Sequence, residues 1–136
     1  MSQPARPGPF QQQVTFLGVR DLTACAAFYG DVLGLALVLD QGTCLIYSTA
    51  GAAFLGFCSH LSDSDKAVQN HPGGPIVTLV SDEVDKWHRY LIELGVPIEK
   101  PPTHNPTYNI YHLFVRDPDG YLVEIQRFLD PAWPDP

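Results

Sequence analysis

The feature that most constrains this chain is an internal duplication. VTFLGV (Val14 to Val19) is followed by Asp21, a helical pattern and Leu33-Gly34. PIVTLV (Pro75 to Val80) is followed by Asp82, a second helical pattern and Leu94-Gly95, with Val19, Asp21, Leu33 and Gly34 matching Val80, Asp82, Leu94 and Gly95 at one constant offset. A period of roughly 60 residues in two copies is too long and too few for a solenoid. It predicts two similar modules, each a strand, a helix and three strands, and each unable to bury the open face of its own sheet. Pairing those faces, within one chain or between two, encloses a cavity.

The local signals agree with that division. In the first helical stretch Leu22, Cys25, Ala26, Phe28, Tyr29, Val32 and Leu33 keep an apolar stripe near the helical period. Asp21 is placed to cap its start and Gly34 to end it. LALVLD, TCLIYS and AAFLGFC read as three short strands separated by glycine turns. In the second half, Asp82 or Glu83 opens a helix carrying Val84, Trp87, His88, Leu91, Ile92 and Leu94. VPIEK, IYHLFVR and YLVEIQRF supply the strands, with PPTHNPTYN expected as a loop. The expected boundaries are a tail over 1–12, one domain over 13–129 (module one 13–59, linker 60–73, module two 74–129), and a second tail over 130–136.

Composition narrows the function classes. A formal charge of −7 argues against nucleic acid as a partner, because phosphate binding needs clustered Lys and Arg. No apolar run reaches the ~18 residues of a membrane span, and the first residues lack the apolar centre of a secretory signal, so a cytoplasmic protein is expected. Cys25, Cys44 and Cys58 lie in apolar contexts without metal-ligand spacing and are expected as buried free thiols.

Two segments carry a resemblance. VRDLTACAAFYGDVLGL and VRDPDGYLVEIQRF resemble the signature segments of the glyoxalase / bleomycin-resistance / extradiol-dioxygenase superfamily, the vicinal oxygen chelate proteins, over residues 14 to about 128. The resemblance implies an α+β fold of two βαβββ modules whose curved mixed sheets form a cup, and pairing into a homodimer. In the family's enzymes it also implies a divalent metal. The ligands are a His or Gln on the first strand, a His opening the fifth, a Glu on the eighth and, in lyases, a Glu on the fourth.

Carried across by position, that set thins out. Glu124 falls on the eighth-strand Glu. The first-strand position falls on Val14, and the neighbouring Gln13 is expected to point the other way because strand side chains alternate. The fifth-strand position falls on Gly74, Pro75 or Ile76, and the fourth on Leu55. His71 lies upstream in a Pro-Gly turn. A lone carboxylate does not hold a catalytic divalent ion, which normally has about three protein ligands. No cofactor is therefore expected, and any metal site would have to draw on Glu124 and Gln13.

Glu124 then has three readings: a structural carboxylate held by Arg116, Arg127, a tyrosine or backbone donors; a recognition group in a ligand pocket; or a catalytic base or metal ligand. His112, one strand away, is expected to stand across from it, making an acid–base pair or a hydrogen-bonded structural histidine. His60, His88 and His104 are weaker candidates. Phe16, Tyr47, Phe54, Tyr111 and Phe114, with Glu124, are the expected lining of an apolar, aromatic small-molecule site. The leading expectation is a metal-independent protein that binds a small organic molecule in the cup, as bleomycin-resistance proteins do. The alternative is a metal-dependent lyase, isomerase or dioxygenase. Trp133 in the second tail is expected to pack over a partner or the cup mouth.

Overall fold

The computed structural model describes residues 4–7, 9–59 and 74–135. Each module has the predicted order. Module one runs β1 (Gln13–Gly18), α1 (Leu22–Ala26) continued by a π-helical stretch (Ala27–Val32), β2 (Ala36–Asp40), β3 (Cys44–Ala50) and β4 (Ala53–Cys58). Module two runs β5 (Ile76–Val80), α2 (Val84–Glu93), β6 (Ile98–Asn105), β7 (Ile110–Arg116) and β8 (Leu122–Phe128). The strand orders are β1-β4-β3-β2 and β5-β8-β7-β6, the same arrangement twice. In each sheet the first and last strands of the module pair in parallel and the remaining pairs are antiparallel. The predicted α+β fold of two βαβββ modules is what the chain adopts.

Local chemistry explains the element ends. Asp21 accepts a hydrogen bond from the Ala24 amide at 3.1 Å and starts α1. Gly34 and Gly95 end the two helical segments at φ of 76° and 77°, a conformation glycine reaches without a Cβ clash. At the start of α2 neither Asp82 nor Glu83 caps through its side chain; the Ser81 hydroxyl accepts from the Glu83 amide instead. One boundary differs substantially from expectation. β6 runs on to Asn105, through Pro101, Pro102 and His104, where a loop was expected. It is the outer strand of its sheet, with register shifts along it, and an edge tolerates prolines that a central ladder would not.

The helices lie on one face of each sheet, and those two faces share a single apolar core. Cys25, Phe28, Tyr29, Leu45, Tyr47 and Phe57 build its first half, and Val77, Val84, Leu91, Leu113, Val123 and Ile125 its second. Polar contacts lock the modules together. The Tyr29 hydroxyl donates to Asp117 Oδ2 at 2.7 Å, Arg20 binds Asp119 through its amide and Nε, and the Tyr121 hydroxyl donates to the Gly18 carbonyl. Asp117 also closes the β7–β8 turn, its Oδ1 accepting from the Asp119 and Tyr121 amides. Burial pushes the Asp117 carboxyl above the usual carboxylate range, against the opposing pull of these donors.

The cysteine expectation is corrected in part. Cys25 is a buried free thiol, pushed up to about 12 by burial first and by the charges of Asp117 and Asp119. Cys44 and Cys58, however, are disulfide-bonded. They are direct partners across β3 and β4, with Cα atoms 4.1 Å apart, a proximity created by strand register and invisible in their spacing along the chain. No helix among the described residues is long and apolar enough to cross a membrane. The expected linker over 60–73 lies outside the described residues, with His60 and His71, as do positions 1–3, 8 and 136.

Candidate functional site

Alternation along β8 decides what the site contains. Val123 and Ile125 enter the core under α2, so Glu124 and Gln126 project from the opposite face. Register brings partners to them: Thr78 of β5 and Phe114 of β7 stand beside Glu124, and His112 of β7 stands beside Gln126. The predicted juxtaposition of His112 and Glu124 is present.

The carboxylate of Glu124 is enclosed by donors. His112 Nδ1 lies 2.6 Å from Oε2, and the Thr78 hydroxyl donates to Oε1 at 2.9 Å. With its amide nitrogen turned inward, Gln126 donates to Oε2 at 2.9 Å and to Oε1 at 3.2 Å. Three side chains thus satisfy an acceptor-only group that is 8 % exposed, which removes the penalty of an unpaired buried charge. His112 is the expected neighbour, but neither Arg116, Arg127, a tyrosine nor a backbone donor is among them. Arg116 instead binds Glu99 and the Gly120 carbonyl, and Arg127 is exposed. Thr78 and Gln126 were missed because each is an ordinary polar residue until the strand pairing is known.

His112 is the other half of the arrangement. Its ring is buried, edge-on to Phe114 at a centroid distance of 5.0 Å. With Nδ1 donating to the carboxylate, a neutral imidazole keeps Nε2 as its one acceptor. It is buried and has no partner among the described residues. An unpaired buried acceptor costs about 1–3 kcal/mol, so a ligand hydroxyl or N–H meeting this atom would recover that cost.

The remaining predicted residues divide by face. Phe16 and Phe54 lie on the helix-free face of the first sheet, with Val14, and Phe16 is 49 % exposed. Tyr47 and Tyr111 do not line that side. Tyr47 is buried in the core near Phe57, and Tyr111 points toward α2, donating its hydroxyl to Asp85. Both sit at the wrong parity of their strands. Gln13 shares the helix-side parity of Leu17 and donates to Thr15, so Gln13 and Glu124 are not brought together. Leu55 also faces the core, and the adjacent Phe54 and Gly56, which take the helix-free face, carry no ligating group. His88 lies on α2 and His104 is exposed on β6, neither of them at this site. Two cavities, of about 220 and 770 Å³, approach the helix-free face at Thr78 without being lined by His112 or Glu124.

Residues 11–125 match the family model described as Glyoxalase/Bleomycin resistance protein/Dioxygenase superfamily. The chain belongs to this superfamily. Solved superfamily members share its architecture. A lactoylglutathione lyase from Agrobacterium tumefaciens is 28 % identical with a TM-score of 0.69, covering 90 % of this chain and 96 % of its own. A glyoxalase/bleomycin resistance protein/dioxygenase from Nocardioides is 19 % identical with a TM-score of 0.67, covering 97 % and 91 %. A glyoxalase/dioxygenase from Nostoc punctiforme is 19 % identical with a TM-score of 0.68, covering 95 % and 100 %. None of the curated proteins matches the chain.

The superfamily's metal can be tested against the donors present. At the four positions that carry its ligands this member has Val14, Leu55, one of Gly74, Pro75 and Ile76 at the start of β5, and Glu124. Glu124 alone can coordinate, and its oxygens already accept from Thr78, His112 and Gln126. Among the described residues no three His, Cys, Asp or Glu side chains converge. This donor set does not fit a divalent ion.

Proposed function

We propose that this superfamily member binds a small organic molecule on the helix-free face of its sheets without using a metal, and that the molecule presents a hydrogen-bond donor to His112 Nε2. The observation that carries the reading is the division of labour in the site. Glu124 is consumed by Thr78, His112 and Gln126, while the far nitrogen of His112 is buried and unpaired. Glu124 is then a positioning residue that fixes the imidazole's orientation and tautomer, the role a carboxylate takes beside a histidine in many sites. Bleomycin-resistance-like sequestration is the activity class this reading supports.

The cup is completed by a second copy. Val14, Phe16, Ile76 and Val80 are 39–55 % exposed on the helix-free sides of both sheets, an apolar surface that suits pairing. Light scattering of the purified chain should give twice the monomer mass, and Phe16→Asp should return it to the monomer.

Native mass spectrometry and metal analysis of protein taken directly from cells test the metal-free reading. An organic species retained after EDTA is the expected result. A stoichiometric divalent ion that disappears in Glu124→Gln would overturn it. The similarity to the Agrobacterium protein, whose name is that of a lyase, favours a second reading as a metal-dependent enzyme. Under that reading Glu124→Gln would reduce turnover by orders of magnitude, whereas a binding protein would lose only part of its affinity.

A further inference from the structure

A second cavity lies apart from the His112–Glu124 pair. It has a volume of about 770 Å³ and lies at the seam between the modules, where Leu33 and Leu35 of module one face β5, Trp87 and the C-terminal segment of module two. It meets the helix-free face only along Thr78, Val80 and Phe128. Small-molecule sites occupy roughly 300–1,000 Å³, with mostly apolar walls and a few polar groups that set orientation. This cavity has that size and that lining.

Its outer wall is built by the C-terminal segment. Trp133 stacks on Phe128, with ring centroids 3.7 Å apart and planes 14° from parallel. The stack is held in place. The Leu129 amide donates to the Asn109 carbonyl, the Trp133 amide to the Asp130 carbonyl, and the Ala132 amide to Asp130 Oδ1. Pro131 and Pro134 flank the indole and fix its backbone on either side. Phe128 covers one face of the indole, while the residue is 49 % exposed and lines the cavity. The indole is therefore held by Phe128 on one face, partly open, and borders the cavity.

Charge selects the occupant. The charged side chains among the described lining residues are Asp82, Asp130 and Asp135, all acidic. Asp82 and Asp135 are exposed and accept no hydrogen bond from the described residues. Anions meet only repulsion here. A planar cation gains the indole face and the carboxylates together, two attractions that strengthen as water is displaced.

From this lining we infer that the seam cavity is a binding site for a small planar aromatic cation, stacked on Trp133 and neutralised by Asp82, Asp130 and Asp135. It is a second site, independent of the metal-free reading of the cup.

The test is a fluorescence and calorimetric titration of the full chain with N-methylquinolinium, and with quinoline as the uncharged analogue at pH 8. The cation should bind at least about tenfold more tightly than quinoline. Trp133→Ala should weaken the cation about tenfold or more, and Asp82→Asn combined with Asp135→Asn should weaken it several-fold. The far-ultraviolet circular dichroism should stay unchanged, since all three residues are exposed. Asp40→Asn, which removes the same charge from β2, should leave binding intact. Three results would each overturn the inference: no binding of the cation, equal affinity for quinoline, or as large a loss in Asp40→Asn as in the combined Asp82→Asn and Asp135→Asn variant. The variants lie outside the His112–Glu124 pair, so failure here and a metal found in the cup are separate outcomes.

Discussion

The helix-free faces of the two modules share a topology and differ in chemistry. In module one that face carries Val14, Phe16, Phe54 and Gly56, apolar and partly open, with the Phe16 ring lying over Gly56. In module two its centre carries Thr78, His112, Glu124 and Gln126, polar, hydrogen-bonded and, apart from Thr78, buried, with exposed Ile76 and Val80 confined to the edge strand β5. The helix-bearing faces show no such contrast, since both are apolar and belong to one core. Duplication has therefore kept what folds the module and released the face that folding does not use. Only one copy now holds a group of donors around a carboxylate, so the two helix-free faces are chemically asymmetric.

The largest effect is expected from an apolar residue at the centre of the polar face. Glu124→Leu leaves the Thr78 hydroxyl, His112 Nδ1 and the Gln126 amide without their shared acceptor, each in a buried or part-buried place. Unpaired buried donors cost about 1–3 kcal/mol each, partly relieved by repacking, so a loss of about 3 kcal/mol or more is expected in urea unfolding. The matching change in module one, Phe54→Leu, should cost less than about 1.5 kcal/mol because it keeps an apolar side chain of similar size. Equal costs would mean that the two faces are energetically alike and that the donors around Glu124 are not formed in solution.

Much of this was legible in the residues because duplication and periodicity are local. The repeat gave two modules, Asp21 gave a cap, Gly34 and Gly95 gave two helix ends, and alternation placed His112 with Glu124 and turned Gln13 away. What was hidden depends on register between strands. Thr78 and Gln126 join the site only because β5 and β7 pair with β8 in one particular alignment. Cys44 meets Cys58 for the same reason. Tyr47 and Tyr111 could have been excluded by parity, yet aromatic character alone suggested a pocket. The proline-bearing strand β6 was obscured because local signals for a loop do not report that a segment lies at a sheet edge.

At the seam between the modules Asp117 is one of several groups that dock the two halves, through Tyr29. Asp117→Ala removes acceptors for the Tyr29 hydroxyl and two turn amides and should cost about 2 kcal/mol. Asp117→Asn can keep all three contacts, accepting the amides through its oxygen and donating to Tyr29 through its nitrogen. Its effect is therefore on pH dependence. Asp117 is raised in the folded chain by burial, so the native state holds this proton more tightly than the unfolded state does. The stability it contributes is present below the unfolded value of 3.8 and is lost as pH rises through the higher folded value. Asn cannot ionise, so the variant should lack this fall while matching the parent at lower pH. A stability profile in mild acid parallel to that of the parent would show that Asp117 does not titrate differently on folding.

The smallest effect tests the open face of module one. A Cβ at Gly56 would collide with the Phe16 ring, so Gly56→Ala forces that ring to move. The ring is half exposed at the edge strand β1 and has room to turn outward, which limits the cost to about 1 kcal/mol. The collision is between two named groups, so it should vanish when one is removed. In a Phe16→Ala background, Gly56→Ala should become neutral or slightly stabilising, since alanine loses less backbone entropy than glycine on folding. A double-mutant cycle read by thermal unfolding gives the coupling directly. A coupling near zero would mean that Phe16 does not rest on Gly56 in solution. The apolar face would then be arranged differently from the one that the proposed pairing of two copies requires, and the contrast with the fixed, hydrogen-bonded face of module two would become one of order as well as chemistry.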